Sequence, residues 1–270
     1  MFKPGPGRAG NNVLVKIAEH LDALGREGEL MAAAADRAGL AAAVPSCPAW
    51  QVKDLLRHTG YVHRWAARHI NECPDQIIDG LSEEEILSGG ADDARLLDWF
   101  RDGHAALAQT LATADPAVEC PTFIAAPSPL AFWARRQAHE TAIHRADAES
   151  AAGATPEYEA DFAADGIDEL IMGFGRRRKY QPGSNAHGAR LRVLATDTGD
   201  VWLVETHDGR VLPRRDVGGQ EEAGCAVSGP ASGLYLYLWN RADAARAGVT
   251  VAGDPGLLFA WQSSVRVRWG

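Results

Sequence analysis

Lysine is scarce in this chain. Of 270 residues, 27 are basic, and lysine stands only at Lys3, Lys16, Lys53 and Lys179. Arginine carries the rest of the positive charge, and with the many alanines this is the bias of a GC-rich bacterial genome. Acids still outnumber bases, for a net charge of −9, and that argues against nucleic-acid binding, which usually shows a basic face. The one basic cluster, Arg176-Arg177-Arg178-Lys179, is short and reads as a solvated helix end or loop. No apolar run approaches the ~18 residues of a membrane-spanning helix, so no membrane partner is expected. The segment MFKPGPGRAGNN lacks an apolar h-region, so no secretory signal is expected and the cytoplasm is the expected location. Cysteine is sparse too: Cys47, Cys73, Cys120 and Cys225 are scattered without a CxxC pair. They are expected to be reduced thiols, neither a disulfide framework nor a cysteine metal cluster. There is no HExxH motif, so a zincin protease is not supported.

What is present is ordinary globular material, 46% hydrophobic and 23% charged, enough for one large domain or two small ones. The first half reads as helix. Val13, Ile17, Leu21, Leu24 and Leu30 suit a helix over 11–36, and Trp50, Leu55, Val62, Trp65 and Ile70 a second over 50–70. Ser82 followed by three glutamates reads as a capped helix start. Long helices are predicted over 92–113 and 129–150, the former ended by Ala114-Asp115-Pro116. Four long helices joined by loops predict a four-helix bundle, an architecture that builds metal sites from side chains on facing helices. Gly153 and Pro156 mark a linker, so the domains are expected at 11–153 and 157–268. The second half alternates: a helix over 159–173, a strand around Leu191–Ala195, and a turn at Asp197–Asp200. A strand over Val201–Thr206 follows, then a short strand at Cys225–Ser228, a helix over 230–245, a strand at Val249–Ala252 and a last helix to about 265. The fold class is α+β in two domains.

Within this frame one constellation carries chemistry. The segment AHETAIHRADAE, residues 138–149, holds Glu140 and His144 four residues apart, and LLRHTG, residues 55–60, holds His58. At about 100° per residue, an i,i+4 pair lies within about 40° on one helix face. His58 on a second helix would complete a His2Glu set with an open fourth position, which is how catalytic zinc is held. Asp54, one turn before His58, is a candidate acceptor to orient its imidazole. His63 and His139, each five residues from a candidate ligand, point away by about 140°. The bland alternatives stay open on the residues alone: His58 as a core histidine with one hydrogen bond, and Glu140, His144, Arg136, Arg145 and Asp147 as an ion-paired helix surface.

These residues also carry a resemblance. VPSCPAWQVKDLLRHTGYVHRWA (44–66) and RRQAHETAIHRADAE (135–149) resemble the signatures of the mycothiol-dependent maleylpyruvate isomerase family. LRVLATDTGDVWLV (191–204) and GPASGLYLYLWNRAD (229–243) are similar to its C-terminal domain. The resemblance implies a DinB-like four-helix bundle that binds a divalent metal, usually zinc, followed by a small α/β domain similar to sterol-carrier-type folds. It puts the metal ligands on His58, Glu140 and His144. It puts a functional arginine, serving catalysis and cofactor binding, on Arg241. There the family more often reads glycine where this chain has Asn240, so the helix end is a place to look for a difference. A C-terminal cation favoured by the helix dipole is the other reading of Arg241.

The chemistry this implies is thiol activation. A free thiol, with a pKa of about 8.5, is mostly protonated at neutral pH, whereas zinc deprotonates a coordinated one. Mycothiol held as thiolate would attack an electrophilic small molecule, either adding across a cis-alkene and leaving again, as in an isomerase, or staying on, as in an S-transferase. Arg241 would pair with a substrate carboxylate or developing enolate. Trp50, Tyr61, Trp65 and Trp133 are candidates for the pocket wall, or for core. Two other classes remain: a hydrolase using zinc-bound water, and a non-catalytic metal-binding or regulatory relative. The sequence leaves monomer and homodimer equally open.

Overall fold

The computed structural model describes residues 17–177, 190–207, 210–216 and 221–265. The lead-in through Lys16, the start of the first predicted helix, and Arg178 and Lys179 of the basic cluster lie outside the described residues.

The N-terminal half is a bundle of four long helices, α1 (Ile17–Ala38), α2 (Val52–Glu72), α4 (Leu96–Thr113) and α5 (Pro129–Ala151), with a short α3 (Glu83–Ser88) between the second and third. Ser82 caps α3 as expected, and through a reciprocal box, its hydroxyl accepting from Glu85 N–H while the Glu85 carboxylate accepts from Ser82 N–H. A single 3₁₀ turn, Asp93–Arg95, precedes α4. Helix α5 starts at Ser128, whose hydroxyl accepts from Ala131 N–H, with Pro129 in the first turn. Each of α1 and α2 packs against both α4 and α5. Helix α5 is the central member: from Leu130 to Glu149 almost every residue is buried, including Arg136, His139, Glu140, His144 and Asp147.

The C-terminal half begins with α6 (Ala160–Asp168), which runs on through a π-helical turn, Glu169–Phe174, into the short α7 (Gly175–Arg177). A five-stranded sheet follows in the order β3-β2-β1-β4-β5. Its strands are β1 (Arg190–Ala195), β2 (Val201–His207), β3 (Arg210–Arg215), β4 (Cys225–Gly229) and β5 (Thr250–Gly253). Strands β1 and β4 are parallel, in register Leu191 to Cys225, and the remaining pairs are antiparallel. Helices α8 (Ala231–Leu238) and α9 (Pro255–Ser264) complete the half. A continuous apolar core joins the two halves: Leu130, Trp133 and Ala142 of α5 belong to one cluster with Ile167, Trp202, Leu234 and Trp261. The fold is thus α+β, with an N-terminal helical bundle.

Two elements depart from the sequence expectation. Strand β3 was not anticipated, because RVLPRR buries Val211 but carries three arginines and a proline, which hide the alternation. At the sheet edge Pro213 is tolerated, since it need not donate to a neighbour there. The helix expected over 230–245 stops at Leu238. Asn240 has φ +61, its N–H bonds Tyr237 O at 3.1 Å and Arg241 N–H bonds Leu236 O at 2.7 Å. This is a Schellman ending with a left-handed residue after the cap. Glycine is the usual occupant of that conformation and asparagine the next most tolerant, so Asn240 keeps the turn that a glycine would make.

Candidate metal centre

His58 comes from the middle of α2, and Glu140 and His144 from adjacent turns of α5. All three are buried, and one potential ligand atom of each lies within 4.8 Å of the others. Glu140 Oε1 is the shared point, 3.2 Å from His144 Nε2 and 3.5 Å from His58 Nε2. The two imidazoles meet edge to face at 4.9 Å between centroids, and Trp50 covers His58 at 5.0 Å. The donor set suits a divalent ion: two imidazole nitrogens and one carboxylate oxygen, from facing helices, converging in a dry setting.

The atoms turned away from this point are held as well. Glu140 Oε2 accepts from Arg136 Nη2 at 2.9 Å, and Arg136 Nη1 donates to Glu169 at the start of the π-helical turn. Arg136 is fully buried, between the rings of Phe174 and Trp239. His144 Nδ1 is 2.9 Å from Asp147 Oδ2. Asp147 in turn is gripped by Arg241, with Nε to Oδ1 and Nη2 to Oδ2 both at 3.0 Å, and it accepts from the Ser46 hydroxyl. Arg241 is fixed by its own Nη1 donating to Trp239 O at 2.8 Å, so the Schellman turn at Asn240 aims the guanidinium into the bundle.

The electrostatics follow from these contacts. Burial pushes the Glu140 carboxyl up, but hydrogen bonds from His144 and His58 and the Arg136 charge outweigh it and hold the group well below the usual carboxylate range. Burial pulls the His144 imidazolium down, but its bonds to Asp147 and Glu140 prevail and its pKa rises to about 9. For Asp147, burial is outweighed by the Arg241 charge and the bond to His144, and the carboxyl falls far below its ordinary value. His58 is lowered, mainly by burial.

The neighbouring histidines lie elsewhere. His63 Nε2 bonds the Thr141 hydroxyl at 2.9 Å. His139 belongs to a second buried group with His20 and Asp165. There Asp165 Oδ2 takes His20 Nε2, His139 Nε2 and Arg135 Nε, each at 2.9 Å. A guanidinium already sits on the one oxygen both imidazoles share, so this group balances its charge internally.

Asp54 does not orient His58. Its carboxylate accepts from Gln51 N–H at 2.8 Å and caps the helix start. The orienting carboxylate is Asp147, and it serves His144. The sequence had placed Asp147, Arg136 and Arg145 in a possible surface ion-pair lattice. The pairs exist but are buried, and Arg145 bridges Glu27 and Glu149 at 2.7 and 2.8 Å. Of the aromatic candidates, Trp133 is fully buried in the core. Trp65 donates to Ile78 O at 3.0 Å and Tyr61 accepts from Leu81 N–H at 2.8 Å, which leaves Trp50 as the ring against the site.

Two family models match the chain. The mycothiol maleylpyruvate isomerase N-terminal domain covers residues 21–149 and the corresponding C-terminal domain residues 161–259. Among solved structures, the mycothiol-dependent maleylpyruvate isomerase and a mutant of it are each similar with a TM-score of 0.62 at 15% identity. The match covers 88% of this chain and 93% of theirs, a likeness of fold. No curated protein sequence matches.

Proposed function

We propose that this chain, which belongs to the mycothiol maleylpyruvate isomerase family, is a metal-dependent enzyme that uses mycothiol to attack an electrophilic small molecule, as an isomerase or an S-transferase. The observation that carries this reading is the convergence of His58, Glu140 and His144 on one buried point. Domains at 11–153 and 157–268 are part of the same proposal, the first carrying all three ligands and the second supplying Arg241.

Zinc or another divalent ion held by these three residues would supply the positive charge that keeps a bound thiol as thiolate. The chain's own groups do the rest. His144 presents Nε2 because Asp147 holds Nδ1. Glu140 presents Oε1 because Arg136 holds Oε2. Arg241 spends three of its five N–H donors on Asp147 and Trp239. With its side chain 18% exposed, its remaining donors would take a substrate carboxylate or a developing enolate oxygen, which is the catalytic and cofactor-binding role proposed for it. The burial of His58, Glu140 and His144, with Trp50 against His58, keeps water scarce around these charges and strengthens each of them.

The test is metal content of the purified protein, followed by calorimetric titration of mycothiol into metal-loaded and chelated samples. About one metal per chain, with thiol binding only when it is present, is the expected result. Metal without thiol binding would favour a hydrolase. A His144→Ala variant that keeps its metal would overturn the ligand assignment.

A further inference from the structure

The ligands proposed above all lie in the N-terminal bundle, yet both of those on α5 are held from behind by the C-terminal half. Glu140 is held by Arg136, whose other partner is Glu169 in the π-helical turn. His144 is held by Asp147, whose other partner is Arg241 after α8. The two chains of contact have the same plan: a ligand atom facing the site, its opposite atom fixed by a side chain of α5, and that side chain fixed by an ion of opposite sign from beyond the linker. Arg136 and Asp147 are both fully buried, so neither charge has solvent as an alternative partner. Removal of the distant ion leaves the nearer one to shift against the ligand it holds, since Arg136 keeps Glu140 as its ion-pair partner and Asp147 keeps His144, with the Ser46 hydroxyl beside it.

We infer that the C-terminal half sets the affinity and geometry of the metal centre, with Glu169 a positioning residue that acts on Glu140 through Arg136, and Asp147 a positioning residue that carries the hold of Arg241 to His144. This inference rests on the metal-site reading of His58, Glu140 and His144. A merely structural pair would lower stability alike for the metal-free and loaded protein. A positioning pair lowers the ratio of metal affinity between variant and parent while the chain stays folded. Outer partners of this kind are worth about 10- to 100-fold in affinity. Glu169 stands where α6 passes into a π-helical turn, a feature frequent at functional sites.

The experiment uses the full chain, Co²⁺ and Zn²⁺ as probes, a chromophoric chelator as competitor and circular dichroism to confirm folding at 25 °C. The variants are Glu169→Gln and Asp147→Asn, with Glu221→Gln, in the exposed pair with Arg214, as control. Expected are a 10- to 100-fold weaker affinity in both positioning variants, a changed Co²⁺ visible spectrum, and neither effect in the control. If the parent binds metal and both folded variants bind it as tightly, with the parent spectrum, the inference falls and the site reading stands. If the parent binds none, both fall. Should either variant fail to fold, Glu169→Asp and Asp147→Glu keep the charge and move the oxygens by one methylene. Affinity unchanged in those would overturn the inference, and a several-fold loss would support it.

Discussion

In the metal-free protein His144 is the group that ties stability to pH. Its pKa is raised to about 9 from about 6.5 in an unfolded chain. A raised histidine stabilises the fold fully below its unfolded value and loses that contribution as pH climbs through the folded one. Between about pH 7 and 8.5 the native state keeps a proton that the unfolded state has lost, so stability should fall by about 1.4 kcal/mol per pH unit. The whole shift corresponds to about 3 kcal/mol. The window is clean because the other shifted histidines go the opposite way. Burial lowers His58, His63, His69 and His139, so their effects appear below about pH 6.5, where the unfolded chain takes up protons the fold refuses. The raised thiols of Cys120 and Cys225 act only near and above the upper limit.

The same proton would oppose the proposed metal, because a ligating imidazole must give it up. At pH 7 a pKa of about 9 leaves about one His144 in a hundred neutral, which weakens apparent metal affinity by about 100-fold relative to pH 9 or above. Urea denaturation of chelated protein at half-unit steps from pH 6.5 to 8.5 measures the first effect. Zinc titrations in buffers of different ionisation enthalpy count the proton released, with one expected at pH 7.5. A His144→Gln variant should lose both the slope and the proton. Stability that is flat or rising across the window, or binding without proton release, would refute the coupling of His144 to Asp147 and Glu140.

Three further outcomes are expected. Arg136→Met leaves Glu140 and Glu169 buried without their shared cation, so the metal-free variant should be destabilised by about 3–5 kcal/mol; a denaturation midpoint within error of the parent would contradict the pairing. His20→Gln keeps a donor towards Asp165, so the metal content should stay at one per chain, as measured by atomic absorption; loss of an equivalent would make the His20–His139–Asp165 group a second metal site. Gly233→Ala should cost about 1–3 kcal/mol or more by overpacking, because a Cβ there would meet the Ala247 carbonyl oxygen at 1.9 Å, a backbone atom with little room to retreat, and thermal unfolding reads the loss.

The grouping of His58, Glu140 and His144 was legible because helix geometry is local. Glu140 and His144 share a face at any i,i+4 spacing, and only the arrival of His58 needed a second helix. Their supports were not, because each depends on contacts across the chain. Asp147 stands i+3 from His144 in a charged stretch, and the same letters describe a solvated ion pair; burial on α5 separates the two readings, and α5 mixes polar and apolar residues on every side. Glu169 meets Arg136 across 33 positions of sequence. Asp54 misled because a carboxylate three residues into a helix has a nearer partner in the N–H of the residue that caps the helix, here Gln51. The Asn240 ending was half legible: the residue stood out, but only the backbone shows that it does a glycine's work.

The buried charges give a reason for two arginines around a centre proposed to hold a cation. Glu140, Asp147 and Glu169 contribute three negative charges, Arg136 and Arg241 two positive ones, and a protonated His144 brings the metal-free sum to zero. In a dry interior that neutrality matters, since each unbalanced charge costs several kcal/mol. Exchanging the proton of His144 for a divalent ion would raise the sum to +1, and a bound thiolate would return it to zero. Without the arginines the loaded site would stand at −1 and would repel the anion it is proposed to bind. On this count Asp147 and Glu169 hold the arginines in place, and the arginines leave room for one negative charge from the ligand.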